Sequence, residues 1–189
     1  MDDSQIRSAL KRTVLAPHFS DPQSRVIDEL GLEHGTSRID VAVVNGRLHG
    51  FEIKSHSDTL ARLPVQMPVY NSVLDQVTLV AETRHLPEVL RLIPDWWGIK
   101  LAEAGPRGGV RFHTIRRTGS NPNVQAISVA RLLWREEAIM LLEHLGEARG
   151  LSKLNRAQVH ERAAAVAPLS CLRSHVRACL KARRAYRFR

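Results

Sequence analysis

Asp40, Glu52 and Lys54 stand close together in the stretch R-I-D-V-A-V-V-N-G-R-L-H-G-F-E-I-K, residues 38–54. Two carboxylates and an ammonium gathered on one polar surface have a definite chemical use. Hard oxygen ligands suit Mg2+, which keeps several waters and takes one or two carboxylates together with phosphate oxygens. A metal held there polarises a phosphoryl oxygen and acidifies an attacking water. Lys54 is placed to hold that water or to stabilise charge developing on the phosphate. Glu29, eleven residues before Asp40, adds a third carboxylate from the neighbouring element. The competing use of the same residues is a salt-bridge cluster on a solvated strand face.

The elements decide between these. Ile39, Val41 and Val43 alternate with Arg38, Asp40 and Ala42, the period of a strand, and Asn45-Gly46 signals a hairpin. Glu52 and Lys54 are two apart on the returning strand and point the same way. A two-residue loop would set Asp40 against Phe51 and put the two acids on opposite faces. An odd loop, with Gly46 in a bulge, puts Asp40, Glu52 and Lys54 on one face and Ile39, Val41, Val43, Phe51 and Ile53 on the other. The apolar pattern favours the odd loop.

Around the hairpin, Asp2 or Asp3 caps a helix carrying Ile6, Leu10 and Val14 and ending near Pro17, and residues 25–32 read as a strand. A helical region from Ser57 or Asp58 to about Leu74 is interrupted by Pro64 and Pro68. Asp58, Arg62 and Gln66 are spaced to share one side of that helix, bordering the site. The apolar run V-T-L-V-A at 77–81 is a strand buried on both faces. A helix at 85–92 and short strands at 99–102 and 110–115 follow. Past the T-G-S-N-P-N linker the chain reads as helix over 128–149, 155–166 and 170–184. The order is αβββαβ, a small αββ, then three helices: an α/β domain over 1–120 and a helical module over 121–189.

Asp40, an apolar hairpin and then Glu52-Ile53-Lys54 resemble the D…(D/E)-x-K signature of the PD-(D/E)XK nuclease superfamily. Glu29 matches the upstream acidic residue of many members. Gln66-x-x-x-Tyr70 resembles the Q-x-x-x-Y motif of the recombination- and helicase-associated nucleases. The whole pattern is also similar to bacterial members with R-x-D…E-I-K-S followed by D-x-x-x-R and Q-x-x-x-Y. The resemblance covers about 80 residues. It implies a restriction-endonuclease-like core with a mixed sheet and hydrolysis of phosphodiester bonds in DNA. It also implies Mg2+, with Mn2+ as substitute, held by Asp40, Glu52 and the Ile53 carbonyl. Lys54 would act at the attacking water, with Glu29 assisting and Gln66 and Tyr70 orienting the site or the DNA. Two residues depart from the family pattern. Ile39 stands where Pro precedes the first acid, and Pro68 lies inside the Q-x-x-x-Y segment.

The 189 residues carry a net charge of +9, and 43% of them are apolar. That composition excludes a disordered chain and a disulfide scaffold. Residues 1–120 hold 15 basic and 14 acidic residues, and residues 121–189 hold 13 and 5, so nearly all the excess lies in the last third. Such a block favours a polyanion. Arg173, Arg177, Lys181, Arg183 and Arg184 are placed for phosphate contacts without base specificity. The apolar face formed by Leu132, Leu133, Ile139, Leu141, Leu142 and Leu145 must be covered, by the core or in a homodimer. Cys171 and Cys179 are about 12 Å apart along one helix, too far to pair. No signal peptide and no charge-free membrane span is visible, so a cytoplasmic protein is expected. Two other functions fit the same sequence: a nuclease-fold DNA-binding protein with a silent site, and a protein–protein adaptor whose basic tail is incidental.

Overall fold

The computed structural model describes residues 1–106 and 108–183. Asp2 caps the first helix, α1 (Asp3–Arg12), by accepting from the Gln5 backbone N–H, and the Gln5 side chain returns the bond. A short helix, α2 (Ala16–Ser20), starts with Pro17 in its first turn. Six strands follow: β1 (Arg25–Leu32), β2 (Ser37–Asn45), β3 (Arg47–Lys54), β4 (Gln76–Glu82), β5 (Gly98–Ala104) and β6 (Val110–Arg116). They lie side by side in chain order in one mixed sheet. The hairpin-joined pairs β1–β2, β2–β3 and β5–β6 are antiparallel. The pairs β3–β4 and β4–β5 are parallel, and a helix makes each crossover: α3 (Leu63–Val73) and α4 (Leu86–Leu92).

Each face of the sheet has its own core. On one face Ile6, Leu10 and Leu15 pack on Val41, Val43, Phe51, Ile53, Val80 and Ala102. Ile6 and Leu10 are fully buried, worth roughly 1.5–3 kcal/mol each, and they fix α1 across the sheet. The other face carries α3, α4 and the helices α5 (Ala126–Ala130), α6 (Arg135–His144), α7 (Arg156–Val166) and α8 (Leu169–Ala182). Leu132, Leu133, Leu141 and Leu142 belong to the same core cluster as Leu30, Tyr70 and Leu74, with Ile139 and Leu145 packed against it. The apolar helical face is therefore covered within the chain, chiefly by α7 and α8, and one core runs across residue 120.

The expected helix over 128–149 is two helices, broken at Leu132-Leu133-Trp134, where Trp134 is the extended N-cap of α6. The expected helix starting at Ser57 begins only at Leu63, with Pro64 in its first turn, because proline is accommodated there and not deeper. Pro68 nevertheless sits inside α3, and the helix runs on to Val73. Cys171 and Cys179 are free thiols. Among the described residues no helix is long and apolar enough to cross a membrane.

Gly50 marks where β3 meets the larger core. A Cβ there would stand 2.7 Å from Leu74 Cδ1 and 3.0 Å from Ile39 Cγ1. Gly50→Ala overpacks this contact and is expected to cost about 1–3 kcal/mol, read as a lower denaturation midpoint at unchanged slope.

Candidate active site

The β2–β3 register sets the site. Val44 faces Leu48, Val43 faces His49 and Val41 faces Phe51, with Gly46 at the tip in a left-handed conformation (φ +61°). This is the odd loop that the apolar pattern required, and it aligns Asp40 with Glu52. In the β1–β2 pair Asp28 faces Val41 and Leu30 faces Ile39, which aligns Glu29 with Asp40. Three carboxylates thus lie in one row across three adjacent strands.

The strands are irregular at that row. Glu29 takes φ +52°, a conformation L-residues with side chains adopt only at a cost of about 1–2 kcal/mol. Alternation breaks there: Ile27 and Leu30 belong to the same core, although three residues apart on a strand. It breaks again at Asp40. Ile39, expected on the face of Val41 and Val43, lies instead in the α3-side core, while Val41 and Val43 stay in the α1-side core. Past Val41 and Phe51 the β2–β3 ladder stops, and the Ile53 N–H donates to Asp40 Oδ2 at 2.7 Å. The Asp40 carboxylate therefore substitutes for a backbone carbonyl where the two strands part.

Glu52 is buried. Its Oε1 accepts from Lys54 Nζ at 2.7 Å and its Oε2 from the Tyr70 hydroxyl at 2.8 Å. The Tyr70 hydroxyl also lies 2.7 Å from the Arg38 carbonyl and accepts from Gln66 Nε2 at 3.0 Å. Gln66 Oε1 is buried and has no hydrogen-bond partner among the described residues. Pro68 does not displace Tyr70: the helical i, i+4 spacing lets Gln66 bond the Tyr70 hydroxyl, which in turn bonds Glu52. Burial, with the charge of Glu52 added, drives the Tyr70 pKa far above that of an ordinary phenol. Tyr70 is therefore a hydrogen-bond donor and not a base.

Sequence reading missed Arg7. Its guanidinium donates to Glu29 Oε1 at 2.6 Å, to Asp40 Oδ1 at 3.0 Å and to the Asp40 carbonyl at 2.9 Å, and it pairs with Asp3 at 3.1 Å. The only signal for it was the i, i+4 pair Asp3–Arg7, which is common on surface helices. Burial works to lower the Arg7 pKa, but the carboxylates of Asp3, Asp40 and Glu29 outweigh it and keep the group charged. The pKa of Asp40 is raised as well, which for a carboxyl disfavours the charged form. Burial first, and the charge of Glu52 second, push its carboxyl up to about 7 against the opposing pull of the Ile53 N–H and Arg7. Burial of Asp40 beside the Glu52 carboxylate thus works against a charge on Asp40.

The remaining expected residues divide. Asp58 precedes α3 and accepts from the Ser55 N–H at 2.7 Å and the Ser55 hydroxyl at 2.6 Å, closing the turn after Lys54. Burial alone would raise its pKa, but these bonds and the nearby Lys54 charge hold it below the usual range. Arg62 is the exposed N-cap of α3. Asp58, Arg62 and Gln66 therefore do not share a helix face, because only Gln66 lies within the helix. In α8, Arg173 pairs with Asp75 at 3.1 Å, and Arg177 lies 4.0 Å from the same acid. Lys181 Nζ reaches the Gln23 carbonyl at 3.3 Å. Arg183 is buried, paired through Nε with Glu137 at 2.8 Å, bonded to the Leu132 carbonyl and stacked 4.4 Å above the Trp134 ring. It clamps α8 to α6 and is not presented to a phosphate. Arg184 lies outside the described residues.

Among the described residues no three His, Cys, Asp or Glu side chains form a metal cluster. The oxygen donors here are two carboxylates of adjacent strands, Asp40 and Glu52, and the Gln66 amide oxygen, which has no partner among the described residues.

The model of the family described as Bacteriophage P4 protein cII matches residues 4–187, nearly the whole chain. The chain belongs to the bacteriophage P4 protein cII family. Protein cII of Enterobacteria phage P4 is 32% identical over 92 residues, which are 49% of this chain and 34% of that protein. The match to this cII relative thus spans about a third of the relative's length. A solved structure of a protein of unknown function from Silicibacter pomeroyi aligns with a TM-score of 0.47 and 17% identity, over 79% of this chain and 94% of that one.

Proposed function

We propose that this member of the cII family is a Mg2+-dependent nuclease of restriction-endonuclease-like architecture acting on DNA. The observation that carries the reading is the convergence of Asp40, Glu52, Lys54, Gln66 and Tyr70 at the point where β2 and β3 part. Asp40 and Glu52 would hold the cation, joined by the Ile53 carbonyl, with Glu29 behind Asp40. Bound there, Mg2+ supplies charge to a phosphoryl oxygen and acidifies an attacking water. Lys54 orients that water and offsets charge on the phosphate. Tyr70 and Gln66 fix the Glu52 carboxylate, and Gln66 Oε1 offers an acceptor to a proton of the water. The donor set suits Mg2+, which takes few protein ligands and completes its shell with water and phosphate oxygen.

A second reading, a DNA-binding protein with a silent site, draws on Arg7, which bridges Glu29 and Asp40 as an internal cation. Incubating the protein with labelled DNA and Mg2+ or Mn2+ separates the two. Cleavage supports the nuclease; salt-sensitive binding without any cleavage supports the silent site.

The raised Asp40 carboxyl gives the site a pH signature. Its folded pKa exceeds its unfolded value, so its contribution to stability is present at low pH and is lost as pH rises through about 7. A cation must displace that proton. Apparent Mg2+ affinity is therefore expected to rise between about pH 6 and 7, by up to about tenfold per pH unit, and to level off above. Calorimetric titration in two buffers of different ionisation enthalpy should show up to one proton released per cation at pH 6 and few at pH 8.

A further inference from the structure

A polar cavity lies on the α1 face of the sheet, away from Glu52. Val80 and Ala102 belong to the α1-side core, and Thr78 and Lys100, two residues before each, share that face. With Thr114, Arg116, Arg117 and Thr118 they line a cavity of about 340 Å3. That is the lower end of small-ligand sites. Its lining has three cations and three hydroxyls and no carboxylate.

The cations are held open. Lys100 Nζ donates to Thr114 Oγ1 at 2.8 Å, and among the described residues neither Lys100 nor Arg117 has a carboxylate partner. Arg116 is oriented by the carbonyls of Trp97 (2.7 Å) and Pro94 (2.9 Å), and the acid it pairs with, Asp95 at 3.4 Å, is fully exposed. Beneath them His49, Thr78 and Thr118 form a chain, 2.8 Å from His49 Nε2 to Thr78 Oγ1 and 2.7 Å between the hydroxyls. Gly98 makes room for it: a Cβ there would stand 2.1 Å from Thr118 Oγ1 and 3.0 Å from Thr78 Oγ1. His49 is held neutral first by burial and then by the nearby charges of His18, Lys100 and Arg47.

We propose that this cavity is a phosphate-binding site, taking a phosphate monoester or a phosphodiester of a nucleic-acid backbone through Lys100, Arg116, Arg117 and the threonine hydroxyls. Arginine forks and a lysine point charge are the side chains that match phosphate oxygens. The site is independent of the cleavage reading, since it shares no residue with Asp40, Glu52 or Lys54.

The test uses the full chain, its Lys100→Gln/Arg117→Gln variant, and Arg91→Gln as an exposed-charge control. Inorganic phosphate is titrated calorimetrically, and a fluorescent DNA duplex is titrated by anisotropy over a salt series. Both altered side chains are at the surface of the cavity, and thermal denaturation checks that the variant folds. The expected result is phosphate binding that weakens at least tenfold in the double variant and is unchanged in Arg91→Gln. If duplex affinity falls with it and phosphate competes with duplex, the ligand is a backbone phosphate. If only phosphate binding falls, the ligand is a free phosphate or a monoester. Three outcomes overturn the site: wild-type protein that binds neither probe, a double variant that binds both as wild type does, or an equal loss in Arg91→Gln. An Asp40→Asn variant that loses cleavage but keeps phosphate binding shows that the two sites fail separately.

Discussion

With Mg2+ present, Asp40→Asn and Lys54→Met are each expected to slow DNA cleavage by about 10^2- to 10^3-fold or more, while DNA binding is largely retained. Asn at 40 keeps the shape of the side chain and can still accept the Ile53 N–H, so the parting of β2 and β3 survives. What it loses is the charge that draws a cation. The substitution also removes the like charge that burial and Glu52 penalise, so metal-free Asp40→Asn should melt higher than wild type at pH 8. Gain of stability together with loss of cleavage is the signature of a functional carboxylate. A carboxylate that served only as the partner of Arg7 would give the opposite sign, because its loss would remove one of the three acids that hold the guanidinium. Met at 54 keeps much of the aliphatic packing and leaves Glu52 with Tyr70 alone. Cleavage by wild-type protein that neither variant alters would sink the assignment of the site.

The largest expected effect on stability lies far from that site. Glu137→Ala should destabilise the protein by about 3–5 kcal/mol, because it breaks the buried Arg183–Glu137 ion pair. The same change removes the carboxylate that accepts from the Trp134 N–H and caps α6. The contacts of Arg183 with the Leu132 carbonyl and the Trp134 ring remain and set the lower end of the range. For a chain of this length the loss corresponds to a melting temperature lower by roughly 6–20 °C. A fall of under 2 °C would mean that Arg183 reaches solvent and that α8 is not clamped as described. The consequence for function is direct: the basic residues of α8 hold the helix to Asp75, Glu137 and the Gln23 carbonyl. They are a less open phosphate surface than their sequence suggests. Lys100 and Arg117, which have no carboxylate partner among the described residues, lie instead in the nearly neutral first 120 residues.

Local pattern carried a great deal. The period of two over 38–54, ended by Asn45-Gly46, was enough to derive the odd hairpin loop, and with it the alignment of Asp40 and Glu52. A one-residue slip would bury Glu52 and Lys54 among the apolar side chains, so the sequence tolerates a single register. The doubly buried β4 and the helical run over 155–166 were legible for the same reason: each depends on neighbours within a few residues. Proline placement was legible only in part. Pro64 moved the start of α3, and Pro68 left Gln66 and Tyr70 on one helical face because packing of Leu63, Tyr70 and Val73 holds the helix together.

Three features were decided by tertiary structure alone. Arg7 reaches Asp40 from 33 residues away because Ile6 and Leu10 seat α1 on the sheet, and no spacing in the sequence records that crossing. The break in alternation at Glu29 and Asp40, which moves Ile39 to the opposite core, arises where two strands separate around a carboxylate, a conflict between neighbours that neither strand shows by itself. The fate of the charges was hidden as well. Counting them located an excess of basic residues near the end of the chain, but whether an arginine meets a carboxylate or solvent depends on what folds against it. Side-chain period is a property of a few consecutive residues; charge pairing and site geometry belong to residues that only the folded chain makes neighbours.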